Sequence, residues 1–498
     1  PDALSLATVS YGDVASGEGP LQKNAPTSRS ALPNSGCDEG GHDGGPINRM
    51  LKVLEQPDST DKQDHLPPLF ASKEERDEYH RRHALECIPQ QDLESYEGDT
   101  WLGIDSGSTT IKAALVDDQH RLLYTYYGPN QGDPLGTAVR ILKEIHSRAP
   151  ENMHIRETAV TGYGSGLLAA GLRADIDEVE TVAHYTGAKF FLPSVSYILD
   201  IGGQDIKCMR IRSGAIDRIQ LNEACSAGCG SFIETFAKSL DMPLAEFVEA
   251  ALTARDPVDL GTRCTVFMNS KVKQAQKDGA YVGDIAAGLS YSVVRNACYK
   301  VMKITSMDEL GEHVVAQGGS FANDALLRAL ELQLGRPVVR PNIAGLMGAF
   351  GAALIAKERG PSGKESTLLR KDELDSFSVT AKTTRCRQCT NHCLLTVSTF
   401  PYKRRFVSGN RCERGAGSMP QDLPNLYSYK YKRLFDHYTP LERDAATRGV
   451  IGIPRALNIF ENYPLWFTLF NTLGYRVELS CPSSKELFFK GYGTIPSQ

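Results

Sequence analysis

Two stretches, Ile104-Asp105-Ser106-Gly107-Ser108-Thr109-Thr110-Ile111-Lys112 and Leu199-Asp200-Ile201-Gly202-Gly203-Gln204-Asp205-Ile206-Lys207, decide how this chain is read. Laid over one another they agree at Asp105 and Asp200, Gly107 and Gly202, Ile111 and Ile206, and Lys112 and Lys207, always 95 residues apart (105 to 200, 112 to 207). Each copy reads as a strand, a glycine turn and a second strand. Four coincidences in register favour duplication over two unrelated hairpins that share turn chemistry. Duplication implies two similar half-domains that can close on one ligand.

Outward from the first copy, TWLGIDSG, IKAALVD and RLLYTYYG from Thr100 onward form three strand-like runs, the meander expected at the start of an α/β domain. A helix follows, with Ala138, Ile141, Leu142 and Ile145 at i, i+3, i+4 and i+7. An Asp at a strand end, followed by Gly and small hydroxyl residues, lets backbone N–H groups approach phosphate oxygens while the carboxylate holds magnesium, directly or through water. Asp105 with Gly107, Ser108, Thr109 and Thr110 fits this, and Asp200 with Gly202, Gly203, Gln204 and Asp205 would face it from the other half. Either alone is an ordinary Asp-x-Gly turn; the pair in repeat register specifies a phosphate site. Gln204 or Asp205 is placed to orient an attacking water. A third element, VVAQGGSFANDALL, reads as a strand, then Gly318-Gly319, then a helix from about Asn323, a glycine turn on which a nucleoside could stack, with Gly318, Gly319 and Asn323 as its contacts. In isolation it is a plain strand-to-helix turn.

At 498 residues the chain exceeds one core, and ~150 residues per domain suggests about three units. A net charge of -5 without a long basic run gives no reason to expect nucleic acid. No apolar run reaches the ~20 residues that cross a bilayer, and no secretory leader is visible, so the chain reads as cytoplasmic, with no membrane partner. Residues 1–99 read as a disordered linker, rich in Gly, Ser, Pro, Asn and Asp, ending in a short charged helix over KEERDEYHRRHALE with little apolar surface to bury. The duplicated domain occupies 100–358, and a charged linker 359–384. Residues 385–498 hold a cysteine cluster and a strand-helix-strand run that opens a further α/β domain. Opening on Pro1 and stopping soon after a strand and helix, the chain is expected to be a piece of something longer.

Twelve cysteines are few for a disulfide scaffold of this size, and their clustering points to metal or redox chemistry. Cys37, Cys87, Cys208, Cys298 and Cys481 read as incidental small thiols. Cys225, in NEACSAGCGSFIETFAKSL, and Cys264, in GTRCTVFMNSKVKQAQKDG, each stand just ahead of a helical pattern. A thiolate or an anionic cluster gains there from the exposed N–H groups and the dipole, by ~0.3 to 1 kcal/mol for an exposed group. The residues by themselves favour the plainer reading, two buried small side chains at helix starts. Cys386-x2-Cys389-x3-Cys393, followed by Cys412, offers four thiolates that suit a second 4Fe-4S cluster or zinc.

DSGSTT, TGYG at 161–164, ETVAH at 180–184, DIGGQD, NEAC-x-x-G, CTVF and the small-residue run from Gly348 to Leu354 together resemble the activators of 2-hydroxyacyl-CoA dehydratases and the ATPase subunits of benzoyl-CoA reductase, over about residues 101–357. The resemblance implies an α/β fold with the duplicated actin-like ATPase core of the sugar-kinase and heat-shock-ATPase superfamily, with ATP and Mg2+ in its cleft and Lys112 on the phosphates. It implies that Cys225 and Cys264 supply two of the four ligands of a 4Fe-4S cluster shared by a homodimer or by tandem activase modules. Cys229, where simple activators usually have Thr, reads as a neighbour of that cluster. A low-potential donor such as ferredoxin or flavodoxin would supply the electron, and an acyl-CoA dehydratase or reductase component would accept it after ATP hydrolysis. The region after 450 resembles the start of the dehydratase-like part of longer fused activases. Two other readings keep the same ATP core: an N-acetylhexosamine-type kinase in which Cys225 and Cys264 merely pack, and a regulatory ATPase whose metal sites are structural.

Overall fold

The computed structural model describes residues 65–498 apart from 204, 223–229, 263–264, 305–306, 361–365, 389–390, 402–403, 418–425 and 493–498. The first half is the expected meander, β1 (Gly98–Ser106), β2 (Thr110–Val116) and β3 (Leu122–Pro129), extended on the other side of β1 by parallel β4 (Met153–Thr161) and the short β5 (Ile176–Asp177). Helix α1 (Pro134–Arg148) starts where Asp133 caps the Gly136 N–H at 2.9 Å and Pro134 supplies a pre-set first turn. Its face of Ala138, Ile141, Leu142 and Ile145 is fully buried. Helix α2 (Ser165–Leu172) follows β4.

The second half repeats the plan. Strands β6 (Tyr197–Ile201), β7 (Ile206–Arg212) and β8 (Ala215–Asn222) form the meander, and β9 (Val314–Gln317) lies parallel to β6. The repeat holds at the level of register. Asp105 pairs with Lys112 across β1/β2 as Asp200 pairs with Lys207 across β6/β7. On the parallel side Thr161 stands opposite Asp105 and Gln317 opposite Asp200. The next residues, Gly162 and Gly318, have φ of +88° and +94°; a Cβ there would stand 2.6 Å from Asp105 Oδ1 and 2.5 Å from Asp200 Oδ1. Glycine is required at both places for conformation and for space. Between β8 and β9 lie α4 (Gly230–Ser239), α5 (Leu244–Leu252), α6 (Thr265–Lys277) and α7 (Val282–Asn296), and α8 (Asp324–Leu334) follows β9. This is a duplicated actin-like core.

Helix α3 (Glu180–Phe191) leads from the first half to the second, and α9 (Met347–Arg359) returns to pack on β1. They cross at Gly187 and Gly351, where a Cβ on Gly351 would fall 1.8 Å from the Ala183 carbonyl oxygen. The same closeness recurs where α9 lies on β1: a Cβ on Gly103 would be 1.9 Å from the Ala349 carbonyl.

The segment 65–97 departs from expectation. Rather than ending a linker in a solvated helix, it is a strap bound to both halves. Leu69 and Tyr79 sit in the second half's core, the Tyr291 hydroxyl donates to the Pro67 carbonyl at 3.0 Å, and Arg328 Nε donates to the Leu69 carbonyl at 2.9 Å. The chain then crosses within a few residues. Asn342 takes the Ile88 N–H at 3.1 Å and donates its own N–H to the Glu86 carbonyl at 2.9 Å; the Pro89 carbonyl accepts from Leu122 N at 2.9 Å, and Gln91 N donates to the Leu122 carbonyl at 3.0 Å. Leu93 and Tyr96 finish in the first half's core. The sequence concealed this because the 73–83 helix has no apolar stripe. It docks through one aromatic ring and a buried charge network instead. Glu331, on α8, accepts from Arg82 at 2.7 Å and lies 3.3 Å from His83 Nε2 and from Arg328.

Burial alone would push the Glu331 carboxyl up, but hydrogen bonds from His83, Arg82 and the Val338 N–H hold it down at about 2. A carboxyl so depressed from 4.5 contributes stability that is complete above about pH 4.5 and drains away as pH falls toward 2. Glu331→Ala is therefore expected to cost about 3 kcal/mol at neutral pH, since it strands Arg82 in a partly buried site, and to flatten the acid limb of the stability curve between pH 4.5 and 2, read by urea unfolding at stepped pH.

The expected linker 359–384 is likewise bound where it is described. Leu368, Leu369 and Leu374 enter the first half's core, and Asp175 accepts the Thr367 N–H at 2.7 Å. Two adjacent leucines in a charged run look like linker until a complementary surface exists. Strands β10 (Thr380–Arg385), β11 (Leu394–Thr399) and β12 (Arg405–Ser408) form a three-stranded antiparallel sheet whose Phe400 and Phe406 reach the core around α2. A separate small core of Phe435, Ile453, Tyr463, Phe467 and Val477 lies under parallel β13 (Val450–Ile453) and β14 (Arg476–Leu479) and the helix Ile459–Thr472 between them. Among the described residues no helix is long and apolar enough to cross a membrane.

Candidate active site

The two Asp-Gly hairpins face one another across a cleft of about 430 Å³. Of the residues singled out in the sequence, Gly107, Ser108, Thr109, Thr110 and Lys112 line it from the first half, and Asp200, Gly202, Gly203, Asp205, Gly318 and Gly319 from the second. Asp105 is one layer deeper, 1% exposed, and reaches the wall through Lys112, whose Nζ donates to Asp105 Oδ2 at 3.0 Å. Asp105 Oδ1 is buried without a partner among the described residues. Burial would lower the Lys112 pKa, but the Asp105 carboxylate more than compensates and raises it, so the lysine is held charged.

Asn323 does not belong to the wall. Its side chain accepts the Ala325 and Leu326 N–H groups at 2.9 and 3.2 Å and caps α8, a use that any Asn before a helix invites. Gln204 lies outside the described residues.

Several wall residues escaped the sequence reading of the site, although ETVAH had been noted as a motif: Glu180 and His184 on α3, Gln317 behind the wall on β9, Tyr127 on β3, Tyr163 after β4, and Lys207. Lys207, the repeat counterpart of Lys112, contacts Glu180 at 2.5 Å and Asp205 at 2.8 Å. Only the 95-residue repeat could have flagged it. His184 Nδ1 lies 2.7 Å from Asp200 Oδ2 and 2.8 Å from Gln317 Nε2, and Gln317 Nε2 donates to the same Asp200 oxygen at 3.3 Å. Burial would push the Asp200 carboxyl up, yet His184, then Lys207 and Lys112, hold it well below the usual carboxylate range. Burial likewise opposes the charged form of His184, but Asp200 outweighs it and raises the pKa.

Around the cleft stand four carboxylates, Asp105, Glu180, Asp200 and Asp205, against the cations Lys112, Lys207 and His184. This balance favours a phosphate chain that brings a divalent cation with it, and the unpartnered Asp105 oxygen suits a cation or its bound water.

Cys225, Cys229, Cys264 and Cys389 lie outside the described residues. The flanks of the first segment are described: Gly230, opening α4, donates its N–H to the Gly202 carbonyl at 3.1 Å, and Ser320 Oγ donates to the same oxygen at 2.8 Å. At the C-terminal cluster, Cys386 N donates to the Cys393 carbonyl at 2.8 Å, and Cys412 follows β12 at the same end of that sheet. Among the described residues no three His, Cys, Asp or Glu side chains group closely enough to hold a metal ion.

The chain is 31% identical over 261 residues to the (R)-2-hydroxyglutaryl-CoA dehydratase activating ATPase of Acidaminococcus fermentans, covering 52% of this chain and 97% of that protein. It is 28% identical over 257 residues to the 2-hydroxyisocaproyl-CoA dehydratase activator of Clostridioides difficile, covering 51% and 94%. The crystal structure of component A of the Acidaminococcus fermentans dehydratase covers 53% of this chain and 99% of its own at 30% identity, with a TM-score of 0.47. Residues 450–498 match the CoA enzyme activase uncharacterised domain. Residues 102–356, just over half of the chain, match the profile of the BadF/BadG/BcrA/BcrD ATPases, and the chain belongs to that family.

Proposed function

We propose that this ATPase uses hydrolysis to drive single electrons from a 4Fe-4S cluster, held by Cys225 and Cys264 and their counterparts in a second copy or a tandem module, to an acyl-CoA dehydratase or reductase component. ATP lies between the halves. Backbone N–H groups of Ser108 to Thr110 and of Gly202 and Gly203, with the Lys112 and Lys207 ammonium groups, hold its phosphates; Gly318 and Gly319 flank the nucleoside. Asp105 and Asp200 would hold Mg2+, directly or through water, and the cation would offset the charge that develops during phosphoryl transfer. Asp205 or Gln204 orients the attacking water.

One observation carries the reading: Gly230, five residues after Cys225 in sequence, donates its N–H to the Gly202 carbonyl in the phosphate loop. A loop that shifts when the γ-phosphate leaves therefore pulls on the main chain close in sequence to Cys225. Coupling of this kind matters because each ~59 mV of added reducing power costs an electron about 1.4 kcal/mol, which ATP can supply and a passive carrier cannot. The donor is a low-potential protein of the ferredoxin or flavodoxin type. The described thiols of the C-terminal set, Cys386, Cys393 and Cys412, do not group closely enough to hold the second cluster or zinc expected there.

The test is anaerobic purification with iron and sulfide quantitation and electron paramagnetic resonance, with and without ATP. Brown protein whose reduced signal changes on adding ATP is the expected result. Cys225→Ala should lose that signal and keep nucleotide binding. Colourless protein that phosphorylates an amino sugar would replace this reading with the kinase.

A further inference from the structure

The two halves treat their matching carboxylates differently. Opposite Asp105 stands Thr161, whose hydroxyl donates away to the Glu178 carbonyl at 2.8 Å, and Asp105 keeps one oxygen unpartnered. Opposite Asp200 stands Gln317, and the carboxylate is gripped from behind by both Gln317 and His184. His184 does not come from the repeat at all. It rides on α3, the helix that joins the halves, at the level where α3 crosses α9. Its second ring nitrogen, Nε2, is buried and without a hydrogen-bond partner among the described residues. Nε2 faces Gly348 at the start of α9: a Cβ there would stand 2.7 Å from His184 Nε2 and 2.7 Å from Asp105 Oδ2. The nearest charge to it is Glu180 Oε1, at 3.8 Å on the same helix. His184 thus stands between the two carboxylates of the two halves, on the helix that joins them.

We propose that His184 is the positioning residue of this cleft: with Gln317 it locks Asp200 into one rotamer, and from its seat on α3 it ties that rotamer to the angle between the halves. The inference rests on the cleft being the ATP site. Binding of nucleotide draws on the glycine loops and lysines, whereas His184 Nδ1 lies against Asp200 and Gln317, so its contribution belongs to the step in which Asp200 must be correctly aimed. A misaimed carboxylate lowers turnover and leaves affinity.

The experiment is steady-state ATP hydrolysis by the full-length chain, beside a separate fluorescent-nucleotide binding titration. His184→Ala should lower kcat about 100-fold with KM and nucleotide affinity within about threefold of the parent, the size seen when one preorganised polar group is lost. His184→Asn, which keeps a donor where Nδ1 stands, should recover at least about tenfold of that loss, and His184→Gln, which keeps one only near Nε2, should not. Gln317→Leu combined with His184→Ala should cost little beyond the histidine change, because both act on one carboxylate. A kcat within threefold of the parent in His184→Ala, or Asn and Gln recovering equally, overturns the assignment. If His184→Ala fails to fold, the Asn and Gln pair decides alone. A parent protein that binds no nucleotide would instead sink the ATP reading, and this inference with it.

Discussion

Asp200→Asn is expected to lower ATP turnover by about 10² to 10³-fold, the penalty for removing one preorganised charged group from a transition-state site. The side chain keeps its shape, so packing is preserved. What changes is charge: the carboxylate that His184, Lys207 and Lys112 hold ionised becomes a neutral amide. Without it the wall loses a negative charge beside the phosphate loops, and His184 loses the contact at 2.7 Å that favours its protonated form. Phosphate release measured with a magnesium series checks this; turnover restored by excess magnesium would show that cation affinity, more than aim, was lost. Asp105→Asn should fall less steeply in turnover and more steeply in magnesium dependence, because Asp105 sits beneath the wall and offers its free oxygen rather than its charge alone.

Gly351→Val should prevent the domain from folding. Any Cβ at this position meets the Ala183 carbonyl at 1.8 Å, and the obstacle is backbone, which cannot rotate aside as a side chain could. Overpacking in a core ordinarily costs about 1 to 3 kcal/mol, and a clash with main chain at a helix crossing exceeds that range. Gly351→Ala should already lower the denaturation midpoint by an amount equivalent to at least about 3 kcal/mol. Equilibrium unfolding monitored by circular dichroism tests both; an alanine variant with the parent midpoint would mean that α3 and α9 can separate without loss. Because the same helices link the two halves that face each other across the cleft, a surviving alanine variant should also turn over ATP more slowly.

The duplication, the two Asp-Gly hairpins and the glycine turn at 318 were legible because they consist of local pattern: a repeat in register, turn residues, and strand alternation. What stayed hidden has a common physical character. His184 reaches Asp200 from a helix that belongs to neither repeat, and Gln317 is brought there by a parallel pairing 117 residues away in sequence. No period announces either. Asn323 was read as a ligand contact because Asn before a helix serves equally as a cap, and sequence does not distinguish the two uses. The 73–83 helix was read as solvated because its docking surface is a ring of ion pairs around Glu331 rather than an apolar stripe, and ion pairs have no periodicity to find.

That strap has a practical meaning for anyone who would isolate the ATPase. The family match begins at residue 102, yet a protein begun there would strip the main chain of Leu122 of its outer partner, uncover the pocket that receives Tyr79, and leave Glu331 facing Arg328 without Arg82 and His83. The smallest autonomous unit of this chain therefore starts near residue 65, and a shorter piece that misbehaves in solution would say more about where it was cut than about the enzyme.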